Sequence, residues 1–175
     1  MNTIPIEEIL GATVRGIDLP APLAEADFGE ILRGLARHGV LCFPGQDLTQ
    51  AQQRAFSRRF GTLEVHVSGV FQDPDHPEAM ILSNLTENGK PIGLADAGQD
   101  WHTDTSFSRT IAFVNVLHAR CVPRRDGRAL GATLFASMGA AFYTLPAATR
   151  ALSGNGGFRV RAGGPPAGRW SGADA

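Results

Sequence analysis

The chain has 175 residues, 43% apolar and 19% charged, with 16 Lys+Arg against 17 Asp+Glu. That length fits one domain with a real hydrophobic core, and a formal net charge of -1 without blocks of like charge gives no footing for nucleic acid or a membrane surface. The opening MNTIPIEEIL lacks the basic and apolar stretches of a secretory signal, and LGATLFASMGAAFYTL is too short and interrupted to span a bilayer.

In chain order, GATVRGIDL (11–19) alternates enough for a first strand, closed by Pro20 and Pro22. Phe28, Ile31, Leu32 and Leu35 then fall at helical spacing, with Gly39 as a stop. The apolar run VLCF (40–43) reads as a buried strand ending at the turn Pro44-Gly45. Thr49 followed three residues later by Gln52 is a capping-box pattern. The stripe Ala55, Phe56, Phe60 continues that helix, and Gly61 suits its C′ position.

AMILSNL (79–85), IAFVNVLHA (111–119) and ATLFAS (132–137) read as strands, and 86–100 as a long polar loop. YTLPAATRALSG starts a further helix with Pro146 in its first turn. From Ser153 the sequence is rich in Gly, Pro, Ala and Arg and buries too little to offset its ordering entropy, so residues 153–175 are expected to be disordered or extended. Helices first and strands after argue for an α+β domain with a mostly antiparallel sheet over 1–152. Cys42 and Cys121 share no CxxC spacing and read as reduced thiols of a cytoplasmic protein.

The chemistry concentrates in QDWHTDTSF (99–107). On an extended strand, positions i and i+2 project to one face, so His102 and Asp104 offer an imidazole nitrogen and a carboxylate oxygen to one point. That pair, with open positions opposite, suits a non-haem Fe(II) centre of the two-His-one-carboxylate type. The spacing alone leaves open an incidental polar pair on an ordinary domain, with Trp101 packed behind it. A zinc hydrolase is disfavoured, because no third His, Cys or Glu has credible spacing. His38, His76 and His118 read as structural or solvent-facing.

DWHTDTSF followed by VNVLHARCVPRRDGRALGATLFASM resembles the taurine dioxygenase family, which includes the dichlorophenoxyacetate dioxygenases. GATVRGIDL, HGVLCFPGQDLTQAQQRAFSRRFGTLEVH and ILSNLTENGKPIG agree with it in order, from about residue 10 to about 152. The resemblance implies a double-stranded β-helix, or jelly roll, with flanking N-terminal helices. It also implies Fe(II) as cofactor, 2-oxoglutarate as co-substrate and a small organic acid as substrate, with release of succinate and CO₂. Carried over by position, His102 and Asp104 become iron ligands, Thr133 a 2-oxoglutarate contact, and His66 and Asn84 substrate-pocket residues.

The chain departs from the family in several places. Leu130-Gly131-Ala132 replaces the usual Gly-Gly-Asp before Thr133, and the PRRDGRAL connection is longer than usual. Gly69 stands where taurine enzymes carry a Tyr, and Gly98 where they carry a substrate Asn, so taurine is a poor fit. The family's distal iron His and 2-oxoglutarate Arg have no counterpart: no histidine follows His118, and Arg159, Arg161 and Arg169 sit in the Gly/Pro-rich tail. The expectation is a dioxygenase jelly roll that is C-terminally incomplete, truncated and inactive by itself. The alternative is a non-catalytic remnant acting as a binding or dimerisation module. The expected partner is a small-molecule substrate rather than nucleic acid or membrane, with homo-oligomerisation left open.

Overall fold

The stripe Phe28, Ile31, Leu32, Leu35 folds as the helix Glu25–His38 (α1) in the computed structural model, which describes residues 1–7, 9–65 and 69–155. Glu25 and Asp27 occupy its first turn and Arg37 and His38 its last, each sign suited to the helix dipole. Gly39 ends α1 with φ 68°, and its N–H donates to the Leu35 carbonyl at 2.8 Å. A side chain there would meet Leu10 Cδ1 at 2.9 Å, so both conformation and space call for glycine.

Ala12–Arg15 (β2) forms within the expected strand and pairs antiparallel with Asn2–Pro5 (β1), a strand the sequence reading does not contain. On its other side β2 pairs in parallel with Leu41–Cys42 (β3), giving a three-stranded sheet in the order β1-β2-β3. The expectation of a buried strand at 40–43 is corrected. β3 is a sheet edge, Cys42 is exposed, and Phe43 is half-buried against the core.

Helix Gln50–Arg58 (α2) opens with the expected capping box: the Thr49 hydroxyl accepts from Gln52 N–H, and the Gln52 side chain accepts from Thr49 N–H. It caps at Arg59, so Phe60 rather than Gly61 holds the C′ place, and Gly61 follows with φ 143°. Leu19, Ile31, Leu48 and Phe56 form the buried core, with Leu41, Phe43, Phe60 and Val116 packed around it. Phe60 stands edge-on to Phe28 and Phe56, with ring centroids 5.0 and 5.3 Å apart. Arg59 lies 4.3 Å from the centre of the Phe28 ring while donating to the Leu23 carbonyl and to Glu25, tying the end of α2 to the start of α1. Gln46 binds the Leu19 N–H and the Ile17 carbonyl, closing the strand's exit over the same core.

The described residues fall into two compact units, Met1–Thr62 with Asn115–Asn155, and Leu63–Val114. In the second unit, 79–85 forms single bridges, Met80 to Gln72 and Leu82 to Leu94, rather than a strand. The expected loop 86–100 contains a hairpin, Thr86–Glu87 (β4) with Lys90–Pro91 (β5). Positive φ at Asn88 (50°) and Gly89 (73°) is the type I′ turn that Asn-Gly favours.

In the first unit a second such hairpin, Arg124–Arg125 (β6) with Arg128–Ala129 (β7), turns at Asp126-Gly127. Segments 111–119 and 132–137 carry no named strand, which corrects both expectations. A ladder needs a paired partner, and no described segment pairs with either. Met138–Thr144 (α3), capped by the Ser137 hydroxyl, is unexpected, whereas Ala147–Asn155 (α4) is the expected further helix, with Pro146 just before it rather than in its first turn. α4 runs through Ser153 to Asn155, so 153–155 are helical rather than disordered or extended; the rest of the expected tail, 156–175, lies outside the described residues. Helices and small sheets, antiparallel in three pairings of four, make an α+β chain. Among the described residues no helix is long and apolar enough to cross a membrane.

Candidate metal centre

Residues 99–107 form no strand: 101–103 are irregular and 104–107 are a turn. The expected shared direction of His102 and Asp104 is nevertheless present, because His102 Nε2 lies 3.2 Å from Asp104 Oδ1. What brings them together is local backbone bonding rather than strand pleat. His102 Nδ1 lies 2.7 Å from the Asp100 carbonyl oxygen. A carbonyl only accepts, so Nδ1 carries the proton and donates. The ring is thereby oriented with Nε2 toward the carboxylate.

Beyond Asp104 the chain is held by Thr105, whose φ of 53° is unusual for a β-branched residue. Its hydroxyl accepts from Ala112 N–H at 2.8 Å, and its carbonyl accepts from Ser108 N–H at 2.9 Å. Such a conformation costs of order 1–3 kcal/mol and persists where surrounding bonds over-determine it. Gly98, at φ 73°, leaves room for the ring: a Cβ there would lie 3.3 Å from His102 Cε1.

A nitrogen lone pair and a carboxylate oxygen facing each other repel unless a cation, either a proton or a metal ion, lies between them. Two ligand bonds of about 2.1 Å at a right angle separate their donor atoms by about 3.0 Å, close to the spacing found. Both side chains are about half exposed, at 54% and 53%, so the pair is open to an ion from solvent. The donor chemistry thus fits two adjacent positions of a divalent metal. Among the described residues no group of three or more His, Cys, Asp or Glu side chains is placed to hold one.

Of the other predicted site residues, Asn84 and Thr133 are described. Asn84 is exposed, between the Leu82 bridge and β4, and Thr133 is exposed in the irregular stretch before α3, in the other unit. His66 lies outside the described residues, as do Arg159, Arg161 and Arg169. Trp101 is 70% exposed, which corrects its reading as a packing residue. Sequence reasoning missed the Asp100 carbonyl and Thr105. A backbone acceptor leaves no mark on residue identity, while a threonine at positive φ has no sequence signal.

The sequence matches the family described as Taurine catabolism dioxygenase TauD, TfdA over residues 2–158. It is 36% identical over 140 residues to the pentalenolactone F synthase of Streptomyces avermitilis, covering 78% of this chain and 45% of that protein. It is also 36% identical over 153 residues to the alpha-ketoglutarate-dependent 2,4-dichlorophenoxyacetate dioxygenase of Cupriavidus pinatubonensis, covering 81% and 52%. A crystal structure of a taurine dioxygenase from Burkholderia xenovorans is 35% identical, with 39% of this chain and 26% of that one covered at a TM-score of 0.36. The chain spans about half the length of the curated relatives it matches.

Proposed function

This chain belongs to the taurine catabolism dioxygenase TauD, TfdA family, and from that premise we propose that residues 1–152 are the N-terminal part of an Fe(II)/2-oxoglutarate dioxygenase jelly roll bearing two of its iron ligands. The observation that carries the reading is the 3.2 Å approach of His102 Nε2 and Asp104 Oδ1 with Nδ1 tied to the Asp100 carbonyl. In it, Nε2 and the carboxylate oxygen donate lone pairs to the metal, and the Asp100 carbonyl keeps the proton on Nδ1. The Thr133 hydroxyl donates to a carboxylate of 2-oxoglutarate, while His66 and Asn84 orient the substrate. When bound, iron and 2-oxoglutarate supply the oxidising chemistry, by which O₂ is consumed, 2-oxoglutarate yields succinate and CO₂, and the substrate is oxidised. A small organic acid is the substrate class, in keeping with the phenoxyacetate named for the Cupriavidus relative.

A specific observation favours a second reading for the chain by itself: its sequence holds no histidine after His118, so no distal histidine ligand is present. The alternative for these residues by themselves is a non-catalytic remnant acting as a binding or dimerisation module. Two measurements separate these readings. Mn(II) binding followed by electron paramagnetic resonance should be weak but saturable, and lost in His102→Ala and Asp104→Ala; binding indifferent to both changes removes the metal reading. Succinate release with Fe(II), ascorbate and 2-oxoglutarate should stay at background. Iron-dependent release abolished by His102→Ala would establish a third ligand from this chain or a second copy of it and reject the non-catalytic reading.

A further inference from the structure

The hairpin β6–β7 concentrates charge that nothing described neutralises. Arg125 and Arg128 are directly opposite in its register, so their side chains leave the same face. Like charges in that relation destabilise a ladder. Arg124 projects to the other face and is engaged, donating from Nη1 to the Gly127 carbonyl at 2.9 Å and bracing the turn. The Arg125 and Arg128 side chains are exposed and have no hydrogen bond or ion pair among the described residues. Asp126, between them in the turn, pairs with neither. Together with Leu130 these three residues line a shallow surface depression.

We propose that this depression is a binding site for one compact oxyanion, a carboxylate or phosphate group on a small molecule, held between the guanidinium groups of Arg125 and Arg128. Guanidinium forks match both anions through paired N–H donors, and a bound anion removes the cross-strand repulsion. The Leu130 side chain offers an apolar wall to the rest of such a molecule. Asp126 on the same rim repels further negative charge, which selects a single anionic group over a polyanion. The two-residue type I′ turn holds the two arginines in register before any ligand arrives.

The test is titration of the full chain with acetate and with inorganic phosphate at constant ionic strength, following the arginine Nε–Hε resonances by NMR. Saturable shifts at Arg125 and Arg128, absent at the exposed Arg109, are expected with at least one anion, and which anion saturates identifies the preferred source. Arg125→Ala should weaken the Arg128 response about tenfold, the loss of a charge-assisted contact. Arg128→Lys keeps the charge and the hairpin but loses the fork, and should weaken the Arg125 response similarly, whereas Arg109→Ala should change neither. Linear, unsaturable shifts shared with Arg109, or a response indifferent to Arg125→Ala and Arg128→Lys, would overturn the site. So would saturation only by a polyanion such as heparin.

Discussion

Gly98 sets how much room the His102 ring has. With φ 73° and a virtual Cβ 3.3 Å from His102 Cε1, Gly98→Ala both strains the backbone and presses on the ring. The strain alone costs about 1 kcal/mol or more, and the ring's tilt away from Asp104 should weaken Mn(II) binding several-fold in a spectroscopic titration. Unchanged affinity would mean that the 3.2 Å approach does not set metal binding. Thr105→Val tests the other anchor. It keeps the shape but removes the oxygen that accepts from Ala112 N–H, leaving a part-buried donor unpaired at a cost of about 1–3 kcal/mol. A drop in urea midpoint of that size is the expected result. His102 and Asp104 were legible from residue identity because their side chains carry the donors. Their orientation was not, since it depends on a carbonyl and on backbone angles.

Elements whose signals are local were read best. The Thr49–Gln52 box satisfies helix donors within four residues, so it survives whatever packs around it. Thr49→Ala should cost about 1 kcal/mol, measured as a shift in urea midpoint. On α1, the Arg33 guanidinium donates to Glu30 Oε1 at 2.6 Å, and this bond and the positive charge hold the Glu30 carboxyl below its ordinary 4.5. A depressed folded-state pKa gives a contribution present above the ordinary value and lost as pH falls through the folded one. Glu30→Gln should therefore lessen the loss of helical circular dichroism in that acid window, and an identical titration would show the pair to be idle. Strands were read less well, for a physical reason. Residues 111–119 alternate exposed and half-buried one by one, the face pattern of a strand, yet a sequence period specifies a face and not the partner that completes a ladder. The two hairpins were within reach, because Asn88-Gly89 and Asp126-Gly127 are strong I′ turn signals overlooked beside the polar composition around them.

At the scale of the molecule, apolar burial is uneven. Among the described residues, the buried apolar side chains all lie between Ala12 and Phe56, whereas large exposed ones occur at Met1, Ile4, Ile6 and Ile9 and then from Val65 to Leu152. Ile31, only 1% exposed at the centre of that core, should cost about 2–5 kcal/mol when changed to Ala. Hydrogen exchange should show the slowest amides in α1, β2 and α2 and faster exchange across 69–114, where backbone pairing is by single bridges and one short hairpin. Uniform protection would contradict this division. The exposed side chains have a further consequence near α3, where Leu134, Phe135, Met138 and Tyr143 are all more than half exposed within ten residues. Scattered apolar residues at a surface are ordinary, but a run of large ones favours association. Sedimentation velocity should show self-association that grows with concentration and weakens in the double variant Met138→Glu, Tyr143→Glu. These positions bury nothing in α3, so the double variant should keep the urea midpoint. A chain monomeric at all concentrations would show that this run of side chains does not drive contact between copies.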